Sequence, residues 1–213
     1  MSKQSDIAIT NALLKYIPQS LCNAVQDGLI EASRRAYDRC KGMDEGHLKS
    51  ALGQLRHFYS NELFALALAS AGIKHNQVRG NDIIVGTSGP LLLSRFNTTD
   101  PRWRNAARSK RRLELADRNQ WLEALIQPGL FSQAISQAEM AVFFVASYST
   151  RFPRHHEPPI SIDIAVMDTQ LSESLFKESL HVFKARYNAA PAQPDKVVPK
   201  LKSVVHEKKE GSS

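Results

Sequence analysis

At 213 residues the chain has room for one full hydrophobic core and little for a second. Its 42% apolar and 23% charged residues are those of an ordinary globular protein, and no apolar run approaches the ~20 residues of a membrane span, so a partnership with the membrane interior is not expected. The net charge of +7 is the unusual property: it favours acidic partners, nucleic acid before an anionic membrane surface.

The start, MSKQSDIAIT, lacks the basic-then-apolar pattern of a secretion signal. Residues 6–72 read as helical. After Pro18, the residues Leu21, Val25, Leu29, Ala32 and Ala36 recur at three- and four-residue spacing, the stripe of an amphipathic helix. Pro18 suits the first turn, where its missing N–H would have had no partner. Lys41-Gly42-Met43 breaks the pattern, and Asp44 can cap a second helix. That helix carries Leu48, Leu52, Leu55, Tyr59 and Leu63 on one side and ends at Gly72, a residue suited to a left-handed turn. Cys22 and Cys40 fall on the first of these helices, separated by roughly 27 Å at 1.5 Å per residue, too far for a disulfide. Free cysteines fit a reducing cytoplasm, and a cytoplasmic location is expected.

Beyond Gly72 the pattern changes to short apolar runs. Residues 83–85 (IIV) and 91–93 (LLL), separated by GTSGP, predict a β-hairpin. Asp100-Pro101 then starts a helix that should run through the basic segment to about Ile126, before Gln127-Pro128-Gly129 stops it. AVFFVA at 141–146 is apolar on both faces and predicts an interior strand. ISIDIAVMD at 160–168 places Ile160, Ile162, Ile164 and Val166 on one face, predicting a strand buried on that face only. A last helix is expected over 172–187, with Leu175, Phe176, Leu180 and Phe183 inside. The composition beyond Asn188 predicts a disordered tail, 189–213. The expected architecture is a single α+β domain over 1–188: two N-terminal helices, a mostly antiparallel sheet of about four strands, a basic middle helix and a C-terminal helix.

The basic segment is the leading candidate site. Of the twelve residues at 101–112, six are Arg or Lys and none is acidic. On one continuous helix, Arg104, Arg108, Arg111 and Arg118 share a face, with Arg112 beside them and Arg102 and Lys110 nearby. Guanidinium groups at one-turn spacing suit successive phosphates, whereas a merely solvated helix face would interleave acids with its bases. Phe96, Trp103, Tyr148 and Phe152 could stack on bases if the sheet face were open.

Other constellations are weaker. His155-His156-Glu157 is the only histidine pair, but no Cys or His spacing completes a metal site, and no metal or cofactor is expected. Gly86-Thr87-Ser88-Gly89 resembles a phosphate-binding loop but lacks the lysine and following helix that make one work. Asp163 should face solvent from its strand or pair with an arginine of the basic helix.

The order helix, strands, helix, strand resembles that of the PD-(D/E)xK nucleases. Such an enzyme needs an acid on one strand and an acid-x-lysine pair on the next, because two carboxylates hold a divalent metal and the lysine supports charge on the attacked phosphate. Asp82 could supply the first acid, with Glu62 on the preceding helix and Asp163 as a further carboxylate. The following strand, LLLSRFN, has neither the second acid nor the lysine. The leading expectation is therefore a non-enzymatic nucleic-acid-binding protein, for DNA or RNA. Two alternatives stand beside it: an interaction or homo-oligomeric protein using its N-terminal helices, and a metal-dependent nuclease or inactive relative of the PD-(D/E)xK class.

Overall fold

The computed structural model describes residues 3–100, 102–125, 138–149 and 158–188. Pro101, the stop at 127–129, Phe152, the histidine pair at 155–156 and the tail at 189–213 lie outside the described residues.

Three helices precede the sheet: α1 (Lys3–Tyr16), α2 (Gln19–Cys40) and α3 (Glu45–Ser70). The expected pair is α2 and α3. The additional α1 has a short stripe of its own, Ile9 and Leu13, both buried, and Pro18 separates it from α2. Pro18 sits one position earlier than expected, as the N-cap of α2 with extended backbone. Asp44 is the N-cap of α3, but its side chain makes no capping bond; its carbonyl accepts from His47 and Leu48. Gly72, at φ +71°, turns the chain out of the helix as expected.

The sheet is larger than expected and mixed. Its six strands lie in sequence order: β1 (Lys74–His75), β2 (Gly86–Ser88), β3 (Leu91–Thr98), β4 (Met140–Ser147), β5 (Ser161–Met167) and β6 (Ser174–Ser179). Adjacent strands are antiparallel except β3 and β4, which run parallel from Leu91↔Met140 to Thr98↔Ser147. A parallel pair needs a long crossover, and the basic segment lies within it.

The hairpin differs in detail from the expectation. Ser88 pairs directly with Leu91, so the turn is only Gly89-Pro90, and the hairpin's first strand is residues 86–88 rather than the expected 83–85, which lie before the ladder. Gly89 takes φ +56° at the first turn position, where glycine is favoured. Gly86 lies so close to α3 that a Cβ there would stand 2.7 Å from Leu68 Cδ2.

The helix expected over 172–187 is instead β6 followed by the short helix α6 (Leu180–Ala185). A bulge opposite Val166 and Met167 inserts Leu175 into the ladder, and Leu175 and Phe176 both enter the core. Those neighbours, with Leu180 and Phe183 of α6, imitate a continuous helical stripe.

The basic segment is broken. It comprises a turn, a 3₁₀ turn at Ala106–Arg108, α4 (Lys110–Ala116), a second 3₁₀ turn at Asp117–Asn119, and α5 (Gln120–Leu125). Ser109 interrupts it with extended backbone and caps Arg112 N–H with its hydroxyl. Asn119, fully buried, donates to the carbonyls of Ala141 and Met167 and accepts from Ala141 N–H, tying the segment to β4 and β5. Its apolar residues Trp103, Ala106, Leu115 and Ala116 cover the second face of the sheet. β5 is therefore buried on both faces: Ala165 and Met167 pack beneath the segment, while Ile164 and Val166 meet the helices. Ile160, expected inside, lies before the strand and is 69% exposed.

Candidate functional site

The basic segment is not one helix, so its arginines do not follow a single helical period. Three have taken acids: Arg104 with Asp100 (2.8 Å), Arg111 with Asp82 (2.8 Å) and Arg118 with Glu139 (3.1 Å). Lys110 stands 4.0 Å from Glu114. These pairs are solvent-exposed and contribute little to stability, but they reduce the free positive charge. Arg102 and Arg108 are exposed with no ion pair among the described residues. The continuous helix that would align Arg104, Arg108, Arg111 and Arg118 does not form, but Arg111 and Arg118 still line one shallow hollow together with Glu114.

Arg112 turns inward. Its guanidinium lies over the Phe96 ring, 5.2 Å from the centroid, and lines a groove of about 860 Å³. One wall is the face of α3 bearing Gly46, Ser50, Gly53 and His57, which recur at helical spacing, with Lys49 and Gln54 beside them. The opposite wall is the second half of β3, residues 95–97, with Ser109 and Arg112. The groove exists for two reasons. β2 pairs only with residues 91–93, so no described strand covers the remaining edge of β3 on that side. Gly46 and Gly53 have no Cβ, and nothing lies within 4 Å of where one would stand.

Arg95 is the residue that sequence reasoning missed. The residue is 3% exposed, yet no carboxylate lies within ion-pair distance of its guanidinium among the described residues. Nε donates to Asn61 Oδ1 at 3.1 Å and Nη2 donates to the His57 carbonyl at 2.6 Å, while Nη1 has no hydrogen-bond partner. Burial pulls its pKa down to about 9, so it remains charged at neutral pH. A buried cation without an anion costs several kcal/mol of desolvation. The signal was present in the sequence: in LLLSRFN the strand period places Arg95 on the same face as Leu91 and Leu93.

The groove carries Lys49, Arg95 and Arg112 and no Asp or Glu among its lining residues. His57 completes it. Burial, and then the charges of Arg95 and Arg112, hold its pKa below the ordinary value. Asn97 Oδ1, buried beside Arg95 on β3, is also without a partner.

The three proposed acids do not converge. Glu62 is exposed on α3, Asp82 is held by Arg111, and Asp163 lies on the opposite face of the sheet from Arg95. Asp163 is neither solvent-facing nor paired with the basic segment: it is 6% exposed, with Lys177 Nζ at 3.9 Å and Ser161 Oγ at 3.1 Å. Among the described residues no group of three His, Cys, Asp or Glu could hold a metal. The strand that would need an acid and a lysine carries Arg95 and Asn97 instead. The proposed stacking aromatics are not open either, since Phe96, Trp103 and Tyr148 are all buried. No described helix is long and apolar enough to cross a membrane. The chain matches no protein-family model, no curated protein and no solved structure.

Proposed function

We propose that the protein binds nucleic acid without cleaving it, and that the phosphate-contacting site is the groove between α3 and Arg112. The supporting observation is Arg95, a nearly buried guanidinium without a carboxylate among the described residues. Phosphate supplies the missing anion and can accept from an arginine fork in charge-assisted hydrogen bonds. Arg112 and Lys49 add two cations to the same groove, and the exposed Arg102, Arg108 and Lys110 extend attraction beyond it. Of the four arginines expected from sequence to share the binding face, Arg104, Arg111 and Arg118 are secondary because each already has an acid. Nothing in the groove lining supplies the carboxylates that metal-dependent cleavage requires.

The test is the salt dependence of oligonucleotide binding. Wild-type affinity should fall with salt, and Lys49→Gln with Arg112→Gln should flatten the log–log slope by about 0.9 per lost duplex contact or about 0.7 per single-strand contact. Arg104→Gln with Arg118→Gln should change it much less. No salt-dependent affinity for either form of nucleic acid would end this reading.

A second reading, association through the N-terminal helices, draws on three exposed apolar side chains: Ile7 (59%), Ile30 (41%) and Leu66 (62%). Sedimentation of the wild type and of a triple Ser variant at these positions tests it.

A further inference from the structure

We propose that the groove takes the terminal phosphate monoester of a nucleic-acid strand, an inference that rests on the nucleic-acid reading above. Depth is the first argument. An internal phosphodiester continues into sugar on both sides, so it reaches the guanidinium of Arg95, a residue only 3% exposed, if the whole backbone is drawn in. A terminal phosphate is tethered on one side and can enter end-on.

Charge is the second argument. A phosphate monoester carries about −1.5 to −2 at neutral pH, whereas a diester carries a single charge. Arg95 and Arg112 both lie in the groove lining, and neither has a carboxylate at ion-pair distance among the described residues. Lys49 adds a third positive group on the α3 wall. A dianion matches this set better than a monoanion does.

Geometry supplies the rest. Arg95 Nη1 is buried without a partner and Ser50 and Ser109 line the same space, so a terminal oxygen that reaches the base of the groove can satisfy an orphaned donor. The open space beside Gly46 and Gly53 leaves room for the first sugar against α3. The groove volume, about 860 Å³, falls within the range of sites that hold a ligand larger than a bare phosphate.

The experiment uses the full chain and three single-stranded oligonucleotides of one sequence: 5′-phosphoryl, 3′-phosphoryl, and hydroxyl at both ends. Each carries its fluorophore away from the end under test, and binding is read by anisotropy at low salt. One phosphorylated form should bind roughly tenfold more tightly than the hydroxyl form, as expected for added charge-assisted contacts, and which one identifies the strand end. Arg95→Lys keeps the charge but loses the fork, and should remove most of that advantage. Arg112→Gln should do the same without altering a buried group of the sheet, and so carries the test if Arg95→Lys does not fold. Equal binding of all three oligonucleotides overturns the terminal-phosphate inference and leaves the nucleic-acid reading intact. A phosphate advantage unchanged in Arg112→Gln removes it from this groove. Failure of all three to bind overturns the terminal-phosphate inference, and failure of duplex as well overturns the nucleic-acid reading with it.

Discussion

Nδ1 of His57 lies 3.3 Å from Nη2 of Arg95, and because a guanidinium only donates, the contact is a hydrogen bond only in the tautomer whose Nδ1 carries no proton. Protonating His57 would set an N–H against a guanidinium in a partly buried site. The facing groups are Arg95 from β3, Arg112 from α4, Asn61 on the same helix and the Asn81 backbone. Burial and the two arginines accordingly lower the pKa of His57.

The sign of the resulting pH dependence follows. With the folded pKa below the unfolded value of about 6.5, the unfolded chain takes up the proton first. The contribution of His57 to stability is complete above the unfolded pKa and declines as pH falls below it toward the folded pKa. His57→Gln should therefore flatten the fall in melting temperature between about pH 7 and pH 5 relative to wild type. Identical slopes in the two proteins would show that the imidazole does not sense Arg95.

An anion that binds the folded groove and not the unfolded chain should raise the melting temperature by mass action. Phosphate should stabilise the wild type more than chloride does at matched ionic strength. Phosphate also stabilises proteins generally by exclusion from their surfaces, so the informative quantity is the difference between wild type and Arg112→Gln. That difference should saturate with phosphate concentration. A linear, variant-independent rise would reflect exclusion alone.

Gly53 separates stability from binding. It is an exposed helix-interior glycine with nothing within 4 Å of a built Cβ. Gly53→Ala should therefore stabilise the protein by about 0.5–1 kcal/mol through helix propensity. Gly53→Leu should keep much of that gain while filling the groove, so oligonucleotide affinity should fall although the melting temperature does not. Undiminished binding by Gly53→Leu would place the ligand elsewhere.

Part of this arrangement is legible in the sequence. The stripes of α2 and α3, the double-sided apolar run of β4 and the left-handed Gly72 are local patterns, and local patterns survive folding. The misread segments depend on tertiary facts. Leu175 and Phe176 look helical because a bulge against β5 turns both inward, and no periodicity announces a bulge. The basic segment satisfies helical spacing until Ser109 takes extended backbone and Asn119 is drawn onto β4 and β5. Of the candidate site, the sequence exposes Arg112 among its neighbours but not its inward turn. Arg95 is readable only by asking which face of LLLSRFN is buried, and the small-residue face of α3 gains meaning only when β3 lies opposite.

The Asp82–Arg111 pair offers the last prediction. The carboxylate holds Arg111 at 2.8 Å, whereas the anchoring of the 76–85 loop uses the Asp82 backbone: its carbonyl accepts from Asn61 Nδ2 at 2.9 Å. Asp82→Asn should therefore release the arginine without releasing the loop. Because the pair is substantially exposed, the stability change should stay within about 1 kcal/mol. Net charge rises by one, and Arg111, next to Arg112 in α4, becomes available to phosphate. Oligonucleotide binding should tighten, and the log–log salt slope should steepen by up to about 0.9 for duplex or about 0.7 for single strand. A carboxylate that held a catalytic metal would give the opposite pattern: its loss would abolish divalent-dependent cleavage without strengthening binding through Arg111. Measuring affinity, salt slope and nuclease activity on this one variant separates the two roles, and weaker binding by Asp82→Asn would show that Arg111 does not face the nucleic acid.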